Sequence, residues 1–340
     1  MTLPRVLICG DLVWAHEESK QLFHGLADVV RMDSLDRADF FANLNQGGKY
    51  EGTVAIYRNN TSAEHVGVFD RALIEALPPG VRWIGHNGAG YDQIDVDACK
   101  KKGIIVSNTP VAVDDATATT ALYLMISAFR HFSQGERSLR GGRWKSDISS
   151  SLTHDLTGKT LAILGLGGIG FRLAELARAF PMRIVYHSRK KVEGAPDWCE
   201  YFGQERLDEF LGLADVLSVH APLRPDTEGL VSEEMIRKLK KGAILVNTAR
   251  GKVIDEAALI RALEVGHLGA VGLDVYPNEP SVNPRLLDFP NATLLPHMGT
   301  ETRDSQKKME VRALTNIRDF LIKGKGIDIV PELRDLATKL

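Results

Sequence analysis

Leu161-Ala162-Ile163-Leu164 is an apolar run that passes without a break into Gly165-Leu166-Gly167-Gly168-Ile169-Gly170, and Phe171 to Phe180 carries a helical pattern onward. A strand, a GxGxxG turn and a helix in that order mark one half of a doubly wound α/β sheet, because parallel strands need a crossover helix between them. Gly165 permits the tight turn, Gly167 lets the backbone approach a pyrophosphate, and Gly170 allows the helix to pack close to the strand. The N–H groups at the helix start, from Gly168 onward, would hold the phosphates.

The rest of the chain repeats the alternation. Short Val, Ile and Leu runs predict strands at Arg5 to Cys9, Thr53 to Tyr57, Arg82 to Gly85 and Ile104 to Ser107. A second series is predicted at Leu161 to Leu164, Arg183 to His187, Val216 to His220, Ala243 to Asn247, Ala270 to Asp274 and Thr293 to Pro296, six strands in all. Between the series, Asp115 to Arg130 reads as a long linking helix opened by Asp114 and Asp115. Arg140 to Thr157, rich in Gly, Ser and charge, reads as an excursion or arm. A final amphipathic helix near Ser305 to Ile322 is placed to return to the first domain, making that domain discontinuous.

Composition narrows the function classes. The 340 residues carry 42 Lys and Arg against 44 Asp and Glu, a net charge of -2, which supplies no general field for nucleic acid or an anionic membrane. Three widely spaced cysteines without a CxxC pair argue against a disulfide framework and a zinc site, so no metal is expected. The first ten residues read as a strand rather than a leader, and no uncharged stretch is long enough to span a bilayer. The expected location is cytoplasmic, with Thr338-Lys339-Leu340 a faint likeness to a peroxisomal address.

The strand after the glycine turn ends in Tyr186-His187-Ser188-Arg189-Lys190-Lys191, where an NAD site would place a carboxylate for the ribose 2′-hydroxyl. Nothing there repels a 2′-phosphate. Ser188 can donate to it, and Arg189 with Lys190 supplies positive charge. NADP is therefore expected over NAD, with NAD as the alternative.

Three residues fall at or just beyond the C-terminal ends of later strands, where open α/β sheets bind ligands. Arg250 lies in Leu245-Val246-Asn247-Thr248-Ala249-Arg250-Gly251, Glu279 in Gly272-Leu273-Asp274-Val275-Tyr276-Pro277-Asn278-Glu279-Pro280, and His297 in Leu295-Pro296-His297-Met298-Gly299-Thr300. His297 as imidazolium can give a proton near neutral pH, Glu279 can orient it, and Arg250 can grip a carboxylate with its planar fork. With Val219-His220-Ala221-Pro222-Leu223 and Asn87-Gly88-Ala89-Gly90-Tyr91-Asp92, these segments resemble the D-isomer-specific 2-hydroxyacid dehydrogenase family over nearly the whole chain. Within it, Gly88-Ala89-Gly90-Tyr91-Asp92-Gln93-Ile94-Asp95 and the missing acidic residue look most like the NADP-linked glyoxylate/hydroxypyruvate reductases, particularly fungal ones.

The resemblance implies two α/β domains around a cleft: a flavodoxin-like substrate domain, 1–108 plus 303–340, and a Rossmann domain, 109–302, that includes the linking helix and a dimerisation arm. Hinges are expected near Asn108 to Pro110 and Gly299 to Arg303, and a two-fold homodimer as the assembly. Further cofactor contacts are implied for Thr117, Ile169, Pro222, Thr227, Thr248, Ala249, Gly299 and Asp274, the last toward the nicotinamide amide. Substrate contacts are implied for Tyr57, Arg58, Ala89, Gly90 and, in a neighbouring subunit's site, Trp144.

The activity so implied is reduction of a small 2-oxo acid by hydride from NADPH. A D-mandelate-type or broad-specificity NAD(P) enzyme is the alternative, and a dinucleotide-sensing corepressor without turnover a remote one, disfavoured because no disordered flank or basic nuclear signal is evident.

Overall fold

The computed structural model describes residues 3–145 and 148–338. The chain divides into two compact units. One comprises the residues up to Val113 together with those from Thr302 onward, and the other is Asp114–Glu301.

The first unit is built on five parallel strands, β1 (Arg5–Cys9), β2 (Asp28–Arg31), β3 (Thr53–Arg58), β4 (Trp83–His86) and β5 (Ile105–Ser107), in the order β2-β1-β3-β4-β5. This is the flavodoxin-like order. β1, β3 and β4 are buried along most of their length and read as continuous apolar runs, as strands covered on both faces must. The helix Arg303–Lys323 starts where Thr302 accepts a hydrogen bond from the Ser305 N–H at 3.0 Å, and it stops at Gly324 in the left-handed region. Its Ala313, Leu314 and Ile317 join the core of β1, β3 and β4, so the late segment completes the early domain. At Gly85 of β4, an added Cβ would meet Ile317 at 2.8 Å, which shows how closely this helix lies on the sheet.

The second unit holds seven parallel strands: β6 (Thr160–Leu164), β7 (Arg183–His187), β8 (Cys199–Phe202), β9 (Val216–Val219), β10 (Ala243–Asn247), β11 (Leu268–Leu273) and β12 (Ala292–Leu294). Their order is β12-β11-β10-β9-β6-β7-β8, the doubly wound Rossmann arrangement extended by one strand. The linking helix Asp114–Arg130 lies on β11, where a Cβ at Gly272 would meet Leu124 at 2.7 Å. It ends at His131, held at φ 51°, and a second helix, Phe132–Arg140, follows.

Two strands were not expected from the sequence, β2 and β8, and both are edges. β2 is largely exposed and pairs on one side only, and β8 buries only its two end residues, so neither carries a long apolar run. The expected sixth strand of the second series is therefore the seventh. The expected excursion after Arg140 is preceded by the helix Phe132–Arg140, in a stretch for which the sequence predicts no element between the linker and the arm. The three cysteines are buried and unpaired. Of the C-terminal tripeptide, Lys339 and Leu340 lie outside the described residues.

Candidate active site

The glycine turn leaves β6 and enters the helix Gly168–Ala177, with Gly167 as the flanking residue and no side chain capping the helix. Gly165 sits at φ 100°, which favours glycine, and a Cβ there would press on the His220 backbone at 3.1 Å. A Cβ at Gly170 would meet the Gly165 carbonyl oxygen at 2.4 Å, so this glycine is spent on helix–strand packing. At Gly167 an added Cβ would meet nothing within 4 Å. The middle glycine thus faces open space beside uncapped helical N–H groups, a cradle that suits a pyrophosphate.

Beyond the turn, Ser188 donates its hydroxyl to the Lys190 carbonyl at 2.6 Å, and the exposed Arg189 has Asp226 as an ion-pair partner at 3.9 Å. His187, by contrast, is buried with Nδ1 at 2.9 Å from the Phe202 carbonyl, which ties β7 to β8. Thr227 accepts from the Arg224 N–H at 2.8 Å and donates to the Pro222 carbonyl at 2.6 Å, closing the loop after β9.

At the end of β10, Asn247 accepts from the Ala249 N–H and donates to the Arg250 carbonyl, each at 2.9 Å, which shapes the turn that presents Arg250. Gly251 follows at a point where a Cβ would fall 2.0 Å from the Tyr276 carbonyl carbon. Only glycine lets this turn press on the loop that carries Glu279. Glu279 Oε1 accepts from the Tyr276 N–H at 2.8 Å, and Oε2 lies 2.7 Å from His297 Nδ1. Burial alone would push the Glu279 carboxyl up. The His297 hydrogen bond, the Tyr276 N–H and the charges of His297 and Arg250 outweigh it and hold the carboxyl below its ordinary 4.5.

His297 itself is held at φ 55°, a left-handed conformation unusual for a residue with a side chain. Three contacts impose it, all from Asp274 at the end of β11. The Asp274 carbonyl accepts from the His297 N–H at 2.8 Å, and its carboxylate accepts from the N–H groups of Met298 at 2.6 Å and Gly299 at 2.8 Å. Asp274 is 1 % exposed, and burial, partly offset by these N–H groups, raises its carboxyl above the ordinary value. Tyr276 adds a brace by donating toward the Leu295 carbonyl at 3.0 Å.

The structure thus brings Arg250, Glu279 and His297 into one constellation at the C-terminal ends of β10, β11 and β12. Thr248 stands beside it, 7 % exposed, its hydroxyl buried without a hydrogen-bond partner, as a side chain waiting on a ligand would be. Thr117 packs against Gly299, within 3.3 Å of the position a Cβ would take there. Asn247, Gly251 and Tyr276 were given no role from the sequence. The Asn two residues before Ala249 and the Gly directly after Arg250 are the signals that could have found the first two. Among the described residues no three His, Cys, Asp or Glu side chains gather as a metal site would require.

The candidate substrate residues of the first unit behave differently. Tyr57 is wholly buried, donating to the Asp11 carbonyl at 3.1 Å and accepting from Asn87 at 2.8 Å. Arg58 is also wholly buried, donating to Asn60 and Gln93 at 2.6 Å each, with His86 Nδ1 at 3.3 Å, and burial pushes its guanidinium down to about 10. Both side chains tie together the loops after β1, β3 and β4 rather than presenting themselves at the surface. His86 Nε2 meets the Gly90 carbonyl at 2.9 Å and Asn108 donates to the Ala89 carbonyl at 2.7 Å, so Ala89 and Gly90, half-buried, are held from below. Trp144 is 76 % exposed.

The family model for the NAD binding domain of D-isomer specific 2-hydroxyacid dehydrogenases matches residues 122–299. The 4-methyl-2-oxopentanoate reductase A of Aspergillus oryzae is 42% identical over 98% of this chain and 100% of its own length. Among solved structures, a glyoxylate reductase from Paecilomyes thermophila superposes with a TM-score of 0.91 at 44% identity, covering 98% of this chain and 100% of that one. An NADPH-dependent glyoxylate/hydroxypyruvate reductase from Sinorhizobium meliloti, solved with NADP and malonate, gives a TM-score of 0.82 at 30% identity over 97% of this chain and 98% of that one.

Proposed function

The chain belongs to the D-isomer specific 2-hydroxyacid dehydrogenase family, and from that membership we propose that it reduces a small 2-oxo acid of the glyoxylate or hydroxypyruvate type to the D-2-hydroxy acid, using NADPH. The observation that carries this reading is the His297–Glu279 pair at 2.7 Å with the charge of Arg250 beside it. Arg250 binds the substrate carboxylate and polarises the carbonyl, a task its planar fork performs and a lysine does not. The Glu279 carboxylate, held ionised, engages Nδ1 of His297, which leaves Nε2 to carry the proton given to the carbonyl oxygen. The NADPH dinucleotide, when bound, supplies the hydride; the protein supplies orientation and electrostatics.

Gly167, the helix start at Gly168, Ile169 and the unpartnered Thr248 hydroxyl would hold that dinucleotide, with Thr117, Pro222, Thr227, Ala249, Asp274 and Gly299 around it. The turn at Ser188, Arg189 and Lys190 favours a 2′-phosphate because it contains no carboxylate, and a reductase of similar fold has been solved with NADP. Ala89 and Gly90 would offer backbone N–H groups to the substrate, with Tyr57 and Arg58 supporting their loop and Trp144 serving a neighbouring subunit of a homodimer. A cytoplasmic location suits the composition, and no helix among the described residues is long and apolar enough to cross a membrane. A second reading, a reductase of broad specificity that takes branched acids, is favoured by the 42% identity to the reductase named for 4-methyl-2-oxopentanoate.

Initial rates of NADPH and NADH oxidation, with glyoxylate, hydroxypyruvate, 4-methyl-2-oxopentanoate and phenylglyoxylate as acceptors, test the reading. Preference for NADPH with glyoxylate or hydroxypyruvate supports it. Preference for the branched acid moves the protein to the second reading, and absence of turnover with every pair overturns both.

A further inference from the structure

Asp114 opens the linking helix, and its carboxylate lies flat against Gly168, the first residue of the helix after the glycine turn. A methyl group added at Gly168 would meet Asp114 Oδ2 at 2.3 Å and Oδ1 at 2.8 Å. The carboxylate thus touches the first residue of that helix, directly beside Gly167, where an added Cβ would meet nothing within 4 Å. Asp114 is half-buried.

Asp115, next to Asp114 on the same helix, pairs with Arg172 at 2.7 Å. Arg172, on the facing helix, also pairs with Glu175 at 3.0 Å. The Arg172 guanidinium is therefore divided between two other carboxylates. Burial first, and the charge of Asp115 second, raise the Asp114 carboxyl above its ordinary 3.8.

We propose that Asp114 belongs to the dinucleotide site as a phosphate-facing residue, taking up a proton when a pyrophosphate binds at Gly167 and Gly168. The inference rests on the dinucleotide reading of the glycine turn. An ionised carboxylate and a pyrophosphate at one helix start repel each other, whereas the protonated carboxyl can donate its O–H to a phosphate oxygen. The bound form then has the higher pKa. Affinity is greatest below the pKa of the free protein, falls as pH rises between the free and bound values, and is flat above both.

The test is the Kd of NADPH, read by fluorescence from about pH 4 to about pH 8, a span that begins at the ordinary carboxylate range, for the wild type, Asp114→Asn and Asp115→Asn. The 2′-phosphate of NADPH titrates alike in all three, so differences in slope report on the protein. Asp114→Asn should lose the part of the slope that the carboxyl contributes and bind about tenfold tighter than the wild type at the alkaline end, equivalent to a bound-state pKa raised by about one unit. Asp115→Asn should keep the wild-type slope.

An unchanged slope in Asp114→Asn, or loss of the slope in Asp115→Asn instead, would overturn the inference alone. Binding to the wild type at no pH would overturn the dinucleotide reading itself. A second measurement needs no variant: NADH, which has no titrating phosphate, should bind the wild type with uptake of protons, seen by calorimetry in buffers of different ionisation heat. Binding without uptake would refute the role of Asp114.

Discussion

His297 Nδ1 lies 2.7 Å from Glu279 Oε2 across eighteen residues of chain, because Asp274 pins the His297 backbone in a left-handed conformation while the Tyr276 N–H fixes the other carboxylate oxygen. The pair is a product of two strand ends brought side by side, β11 and β12, rather than of local sequence. Its chemistry and its strain therefore share one scaffold.

Glu279→Gln should lower turnover in the reduction direction by roughly 10²-fold, the range of general acid catalysis. Dinucleotide affinity should not change. Stability carries a second signature. The Glu279 carboxyl is held below 4.5, so the ionised form stabilises the fold above that value and the contribution is lost as pH falls through the lowered pKa. Thermal melting between neutral and acid pH should show a shallower decline for the variant, and identical slopes would refute the pairing.

Arg250→Lys should fail to rescue Arg250→Met. Both should raise the KM for the 2-oxo acid and lower kcat, since a point charge does not reproduce the planar fork. The loss in kcat/KM is expected at roughly 10² or more, comparable to removal of one oxyanion donor. A lysine variant with near wild-type kinetics would show that Arg250 acts through charge alone.

Gly167→Ala and Gly170→Ala should separate binding from folding. The Gly170 variant drives a methyl group onto the Gly165 carbonyl and should cost about 1–3 kcal/mol of stability, the usual price of overpacking. The Gly167 variant meets no protein atom, so its melting temperature should hold while its NADPH affinity drops. Loss of stability in both, with affinity intact, would contradict the assignment of the cradle.

How far the sequence alone reaches is visible in particular residues. Strands buried on both faces, such as β7 and β10, were legible to the residue because an apolar run bounded by turn residues has one reading. The edges β2 and β8 were not, since an exposed strand leaves no such run. The candidate trio of Arg250, Glu279 and His297 could be singled out because each member stands at or just beyond a strand end. The supporting contacts could not: the clash that keeps Gly251 a glycine, and the three bonds by which Asp274 sets His297, depend on which strands are neighbours. Tyr57 and Arg58 show the opposite limit, as a strand-end position does not reveal whether a side chain turns outward or beneath its loop.

Ser188→Asp combined with Arg189→Ala should weaken NADPH far more than NADH. The new carboxylate repels the 2′-phosphate and can accept from a ribose 2′-hydroxyl, and the lost guanidinium removes its counter-charge. The ratio of the two Kd values, measured by fluorescence titration, is the quantity to compare. An equal change in both would contradict the proposed phosphate turn.

The proton-donor role of His297 is tested most directly by pre-steady-state reduction of glyoxylate by His297→Asn with NADPH already bound. NADPH should bind with wild-type affinity while the rate of its oxidation falls by roughly 10² to 10⁴, the contribution of a positioned proton donor. Oxidation at a near wild-type rate would show that the proton comes from elsewhere and that the His297–Glu279 pair is not the acid of this reaction.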